Sequence, residues 1–168
     1  MTVNSQATPA PVVDPVPPAC GAIPYLVVKG ANDAIAWYQR VFDARLVHRM
    51  DAPDGAPMHA ELQVGPARFF MTEERAEYGS LGPATLGGSG TMVVIYVPDS
   101  DEVFGRATAS GAKVTMPIGD QFWGDRSGCI VDPFGHAWFI STHKEDVTNE
   151  EMAERVRQMM STGCAGAA

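Results

Sequence analysis

Phe122-Trp123-Gly124-Asp125-Arg126-Ser127-Gly128-Cys129-Ile130-Val131-Asp132-Pro133-Phe134-Gly135-His136-Ala137-Trp138-Phe139-Ile140 reads as two apolar strands joined by a tight turn. Pro133 pre-sets φ at the first central turn position, and Gly135 tolerates φ > 0 near its end. The stretch is therefore a hairpin with aromatic residues on both arms.

Outward from this hairpin, strand and helix patterns follow one another twice. Ile23-Pro24-Tyr25-Leu26-Val27-Val28 is a nearly all-apolar run suited to a strand covered on both faces. Asn32 is placed to cap a helix whose Ile35, Tyr38 and Phe42 recur at spacings of three and four, with Ala34 and Val41 widening the stripe. Arg45 to Met50 predicts a second strand, followed by the turn signal Pro53-Asp54-Gly55. His59 to Val64 alternates polar with apolar, and after Gly65-Pro66 the run Ala67 to Glu73 predicts another strand. The second half repeats the order. Met92 to Val97 is a strand, Asp99 and Glu102 open a helix with Val103, Ala107 and Ser110 on its buried face, and Lys113 to Met116 leads to the hairpin. A shift of 68 residues places Asp33 on Asp101, Leu62 on Ile130, Phe70 on Trp138 and Met71 on Phe139.

This reading divides the chain into a Pro-rich extended or disordered arm over 1–20, a βαβββ module over 21–74 and a Gly-rich linker over 75–90. A second module follows over 91–143, then a C-terminal helix within 144–162 and a loose tail over 163–168. Thr148-Asn149-Glu150-Glu151 is a capping box for that helix. Its stripe of Met152, Val156 and Met159 must bury against its own module or against a second subunit.

Composition narrows the function classes. The 168 residues are 45% apolar and 19% charged, as in an ordinary globular protein. A net charge of −8 with only 12 Lys and Arg argues against nucleic acid, whose phosphates need clustered cations. No apolar run approaches the length of a membrane span. Three cysteines form neither a disulfide framework nor a Cys-rich zinc site, and without a leader pattern the chain reads as cytoplasmic. P-loop, Ser-elbow and dinucleotide-fingerprint motifs are absent.

The Trp123-Gly124-Asp125-Arg126 and Asp132-Pro133-Phe134-Gly135-His136 motifs, with Trp138 after them, resemble the vicinal-oxygen-chelate superfamily. The likeness is to its glyoxalase/bleomycin-resistance branch and the PhnB-like group within it, from Gly21 to Met160. It implies an α+β fold of tandem βαβββ modules whose open sheets enclose a cavity, a homodimer, and a small-molecule ligand. It also implies a divalent metal held by the first and last strands of each module. Those positions fall near Ile23, Met71, Thr91 or Met92, and Phe139, which offer apolar surface or a soft thioether instead of imidazole or carboxylate. The expectation is a site with no metal and no other cofactor, a divalent metal remaining the alternative.

If Ala60, Leu62 and Val64 meet the helix layer, His59, Glu61 and Gln63 point towards the cavity. Tyr25, Phe69, Met71, Met92, Trp123 and Phe139 complete its expected wall, which suits a planar or largely apolar ligand. Trp138, next to Phe139, falls on the helix side. His59 and Glu61 are the candidate catalytic pair, as general base and orienter, or as two ligands of a displaced metal site. Asp125-Arg126 reads as a charge-paired rim or as a ligand contact, Cys129 as an inert packed thiol, and His143 as a partner of Glu145 or Asp146. Two functions follow. One is a binding protein for a small apolar or aromatic molecule. The other is an enzyme, either a metal-dependent lyase, isomerase or dioxygenase or a metal-free acid/base catalyst.

Overall fold

The computed structural model describes residues 21–163, so the arm over 1–20 and the tail beyond Gly163 lie outside the described residues. The elements run β1 (Tyr25–Val28), α1 (Ala31–Phe42), β2 (Arg45–Asp51), β3 (Pro57–Val64), β4 (Ala67–Glu73), α2 (Pro83–Leu86) and β5 (Met92–Tyr96). They continue with α3 (Ser100–Ala109), β6 (Lys113–Asp120), β7 (Asp125–Val131), β8 (Ala137–His143) and α4 (Asn149–Gly163). Two four-stranded mixed sheets result, sheet 1 in the order β1-β4-β3-β2 and sheet 2 in the order β5-β8-β7-β6. In each, the first strand pairs parallel with the last and the remaining pairs are antiparallel. This is the α+β class expected from the pattern.

Local chemistry sets the helix ends. The α1 stripe Ala31, Ala34, Ile35, Tyr38, Val41 and Phe42 is buried as its spacing requires. Its start is not capped by Asn32. The Glu73 carboxylate, arriving from the end of β4, accepts from the backbone N–H of Gly30 at 2.8 Å and of Ala31 at 2.7 Å. An anion there satisfies two orphan donors and complements the helix dipole, which leaves Asn32 free to bond Gly55 and Arg49. By contrast, α3 and α4 open as read. Asp99 accepts from Glu102 N at 3.0 Å, and Thr148 and Glu151 exchange the two bonds of a capping box.

The repeat is offset differently in different strands. Ala60 and Leu62 correspond in burial to Gly128 and Ile130, whereas Phe69 and Met71 correspond to Trp138 and Ile140. Two residues, Gly65 and Pro66, separate the paired Val64 and Ala67. Three, Pro133 to Gly135, separate Asp132 and His136, whose backbones still bond at 2.9 Å. One inserted residue moves the whole following strand to the other face. The correct partner of Phe139 is therefore Phe70.

The helix-covered faces of both sheets share one core. Trp138 of β8 packs on Phe42 and Tyr38 of α1 and on Phe69 of β4, with ring centroids 4.8 to 5.4 Å apart. Asp132, buried in the hairpin turn, binds the halves together. One carboxylate oxygen accepts from Tyr38 Oη at 2.7 Å and Trp138 Nε1 at 2.8 Å, the other from the backbone N–H of Phe134 and His136 at 2.9 Å. Trp37 Nε1 also donates to the Ser110 carbonyl, and Arg106 reaches Val41 O and Asp43. On the opposite, outer faces the first strands are exposed at Tyr25, Met92, Val94 and Tyr96, while Asp125, Ser127, Cys129 and Ser141 of sheet 2 are buried.

Candidate functional site

On sheet 1 the alternation of β3 is as expected, with Ala60, Leu62 and Val64 buried against the helix layer and His59, Glu61 and Gln63 on the outer face. Those three polar residues do not engage one another. His59 Nδ1 lies 3.1 Å from the Tyr25 hydroxyl, and its ring meets the edge of Phe70 at 4.9 Å. Glu61 is tied to Arg68 at 2.6 Å, and Gln63 accepts from Arg45 and donates to Gly65 O. The pairing of His59 with Glu61 as base and orienter is thus not formed, because Arg68 on the neighbouring strand takes the carboxylate.

Phe69 and Met71 do not line the outer face either. Both are buried on the helix side, Phe69 against Tyr38 and Trp138. Their place is taken by Phe70, which stands with Tyr25 and His59 in an aromatic patch. The one-residue offset between the halves concealed it. A cavity of about 580 Å³ lies at one end of this sheet, lined by Met58, Thr72, Glu73 and Tyr78 and by Arg75 paired with Asp54.

On sheet 2, Met92 and Phe139 take the outer face as expected, and Trp123 stands 6.1 Å from Phe139. Beneath them lies a group built on Asp125, which the sequence pattern sets with Arg126 and apart from His143. Asp125 is 4% exposed and accepts three side-chain hydrogen bonds, from Tyr96 Oη at 2.8 Å, Trp123 Nε1 at 3.1 Å and His143 Nδ1 at 2.9 Å. Strand alternation separates Asp125 from Arg126, so the two do not form a common rim. Arg126 crosses to the helix side and binds Asp101 and Asp120. His143 Nε2 meets Asp146 at 3.1 Å, while Glu145 goes to Arg155.

Electrostatics follow these contacts. Hydrogen bonds first to Asp125 and then to Asp146 raise the His143 pKa above its ordinary 6.5. The bond to Asp125 likewise raises the Tyr96 phenol, and burial raises the Cys129 thiol, in keeping with an inert cysteine.

The outer-face residues of the first and last strands are Tyr25 and Val27, Phe70 and Thr72, Met92 and Val94, and Phe139 and Ser141. None of these eight is a carboxylate or an imidazole; the one imidazole on that face of the last strands, His143 at the end of β8, is bonded to Asp125 and Asp146, so the positions do not fit a divalent ion. Among the described residues no three His, Cys, Asp or Glu side chains are placed to hold a metal. No described helix is long and apolar enough to cross a membrane.

Comparison with known proteins agrees with this architecture. The uncharacterized protein Rv0887c of Mycobacterium tuberculosis is 36% identical over 132 residues, 77% of this chain and 78% of that protein. Among solved structures, TioX from Micromonospora sp. ML1 is 29% identical with a TM-score of 0.58, covering 77% of this chain and all of that one. The fosfomycin resistance protein FosX from Listeria monocytogenes, solved with Mn(II) and sulfate, is 18% identical with a TM-score of 0.56 over 82% of this chain and 97% of its own. That last likeness is one of fold. The model of the Glyoxalase/Bleomycin resistance protein/Dioxygenase superfamily matches residues 20–140, and the chain belongs to that superfamily.

Proposed function

We propose that the chain is a binding protein for a small, planar or largely apolar molecule, held against the outer aromatic faces of its sheets within a homodimer. The observation that carries this reading is the pair of half-exposed aromatic patches, Tyr25 with Phe70 and His59, and Tyr96 with Trp123 and Phe139. Flat rings supply stacking surface, and the adjoining phenols and imidazoles supply a few directional hydrogen bonds. Tyr25 is 50% exposed, Val94 53% and Tyr96 55%, an apolar outer surface that a second copy would cover while closing a cavity over it.

The test is a thermal-shift and calorimetric screen of planar aromatic compounds, run with and without Mn(II) and Zn(II). Binding to the native state raises the midpoint by mass action. The expected result is a shift with organic compounds alone, weakened at least tenfold by Phe70→Ala or Phe139→Ala. Stoichiometric metal uptake with a large shift, or affinity untouched by both substitutions, would overturn the reading.

A further inference from the structure

We propose that His143, oriented by Asp125 on the outer face of sheet 2, is a proton-accepting group that acts on a planar, uncharged ligand carrying an acidic C–H or O–H bond. This rests on the reading that the same face receives a planar ligand.

Three elements converge on Asp125: β5 brings Tyr96, the turn before β7 brings Trp123, and β8 brings His143. The carboxylate is buried beneath them, whereas Tyr96 and His143 are half-exposed. A buried acceptor at 2.9 Å keeps a proton on Nδ1 and fixes the ring's orientation, which leaves Nε2 as the nitrogen that exchanges protons. Among the described residues the group at Nε2 is Asp146, fully exposed in the segment between β8 and α4. An ion pair so exposed is weak, and a ligand atom can displace it. The titratable groups facing the imidazole are Asp125 from β7, Asp146 from that segment and, through Asp125, Tyr96 from β5. Both carboxylates favour the protonated ring, which makes the neutral ring a stronger base than free imidazole. Trp123, bonded to the Asp125 carboxylate and with its ring 6.1 Å from that of Phe139, supplies the stacking surface.

The probe is 5-nitrobenzisoxazole, a flat uncharged ring whose opening needs only a base. His143 Nε2 takes the proton from C3, the C–H electron pair becomes the third bond of a nitrile, and the N–O bond breaks. The oxygen leaves as a phenolate, and the imidazolium returns its proton to water. No oxidant, metal or co-reactant enters.

The expected second-order rate is at least tenfold that of free imidazole and falls at least tenfold in His143→Gln. Because the neutral ring is the active form, the rate rises with pH through an inflection above 6.5. Asp125→Asn moves that inflection downward, which a merely structural role for Asp125 does not predict. Probe binding is followed separately by quenching of tryptophan emission. Binding without turnover above free imidazole overturns the proton-transfer role and leaves the binding reading intact, whereas absence of both overturns the two together. A rate retained in His143→Gln, or an inflection unmoved by Asp125→Asn, also overturns the proposal.

Discussion

Asp132 and Asp125 are both buried carboxylates at hairpin positions, yet they serve different ends. Asp132 accepts four hydrogen bonds from within the core and its turn, so no lone pair is left for anything else. Asp132→Asn turns an amide N–H₂ towards two donors, and chemical denaturation is expected to show a loss of about 3 kcal/mol. Tyr38→Phe leaves Trp138 on the same oxygen and is expected to lose about 1 kcal/mol. Asp125 instead presents its partners to solvent, and its bond to His143 makes stability depend on pH. His143 has a folded pKa above its unfolded 6.5, so its contribution is fully present below 6.5 and fades as pH rises through the folded value. Denaturation midpoints of wild type and His143→Gln should therefore differ more at pH 5.5 than at pH 9. The sequence showed Asp125 and His143 separately, and 17 intervening residues hid that β7 and β8 set them opposite each other.

At the scale of elements, periodicity was a good guide wherever a contact is local. The α1 stripe, the Asp99 and Thr148 caps and the β3 alternation all follow from spacings within one segment. It failed where the partner comes from afar. Glu73 displaces Asn32 as the α1 cap from 41 residues away, and one extra turn residue exchanges Phe69 for Phe70 on the outer face of sheet 1. Glu73→Gln should lower stability by about 1 kcal/mol, read by urea titration, since the neutral amide loses the dipole interaction and one acceptor. The glycines of the opening hairpin are equally specific. Gly124 has φ 97°, and a Cβ there would lie 2.3 Å from the Glu145 carbonyl oxygen, while Lys144 and Glu145 both donate to Gly124 O. Gly128 faces Phe104, whose ring would be 2.6 Å from an added Cβ. Gly128→Ala is expected to destabilise by about 2 kcal/mol through overpacking, and Gly124→Ala by more, because strain adds to a backbone clash. Thermal denaturation ranks the two.

For the whole molecule, the two βαβββ patterns were legible, since repeated element order survives drift in the residues themselves. How the sheets meet was not, because that depends on long-range pairs such as Tyr38 with Asp132 and Phe69 with Trp138. Those contacts place both helix layers between the sheets and turn Val94 and Tyr96 outward. A homodimer that covers them should sediment at twice the 17.9 kDa chain mass, and Val94→Asp should shift it towards monomer. An unchanged distribution would place the contact elsewhere. The strand period of two has one more effect. Along β4 and β8 each outward-facing side chain alternates with one that belongs to the core, so neighbours in sequence answer to separate demands. Substitution at Phe70 or Phe139 thus alters the outer surface while Phe69 and Trp138 keep the scaffold unchanged, which leaves this architecture free to vary its exterior without relearning how to fold.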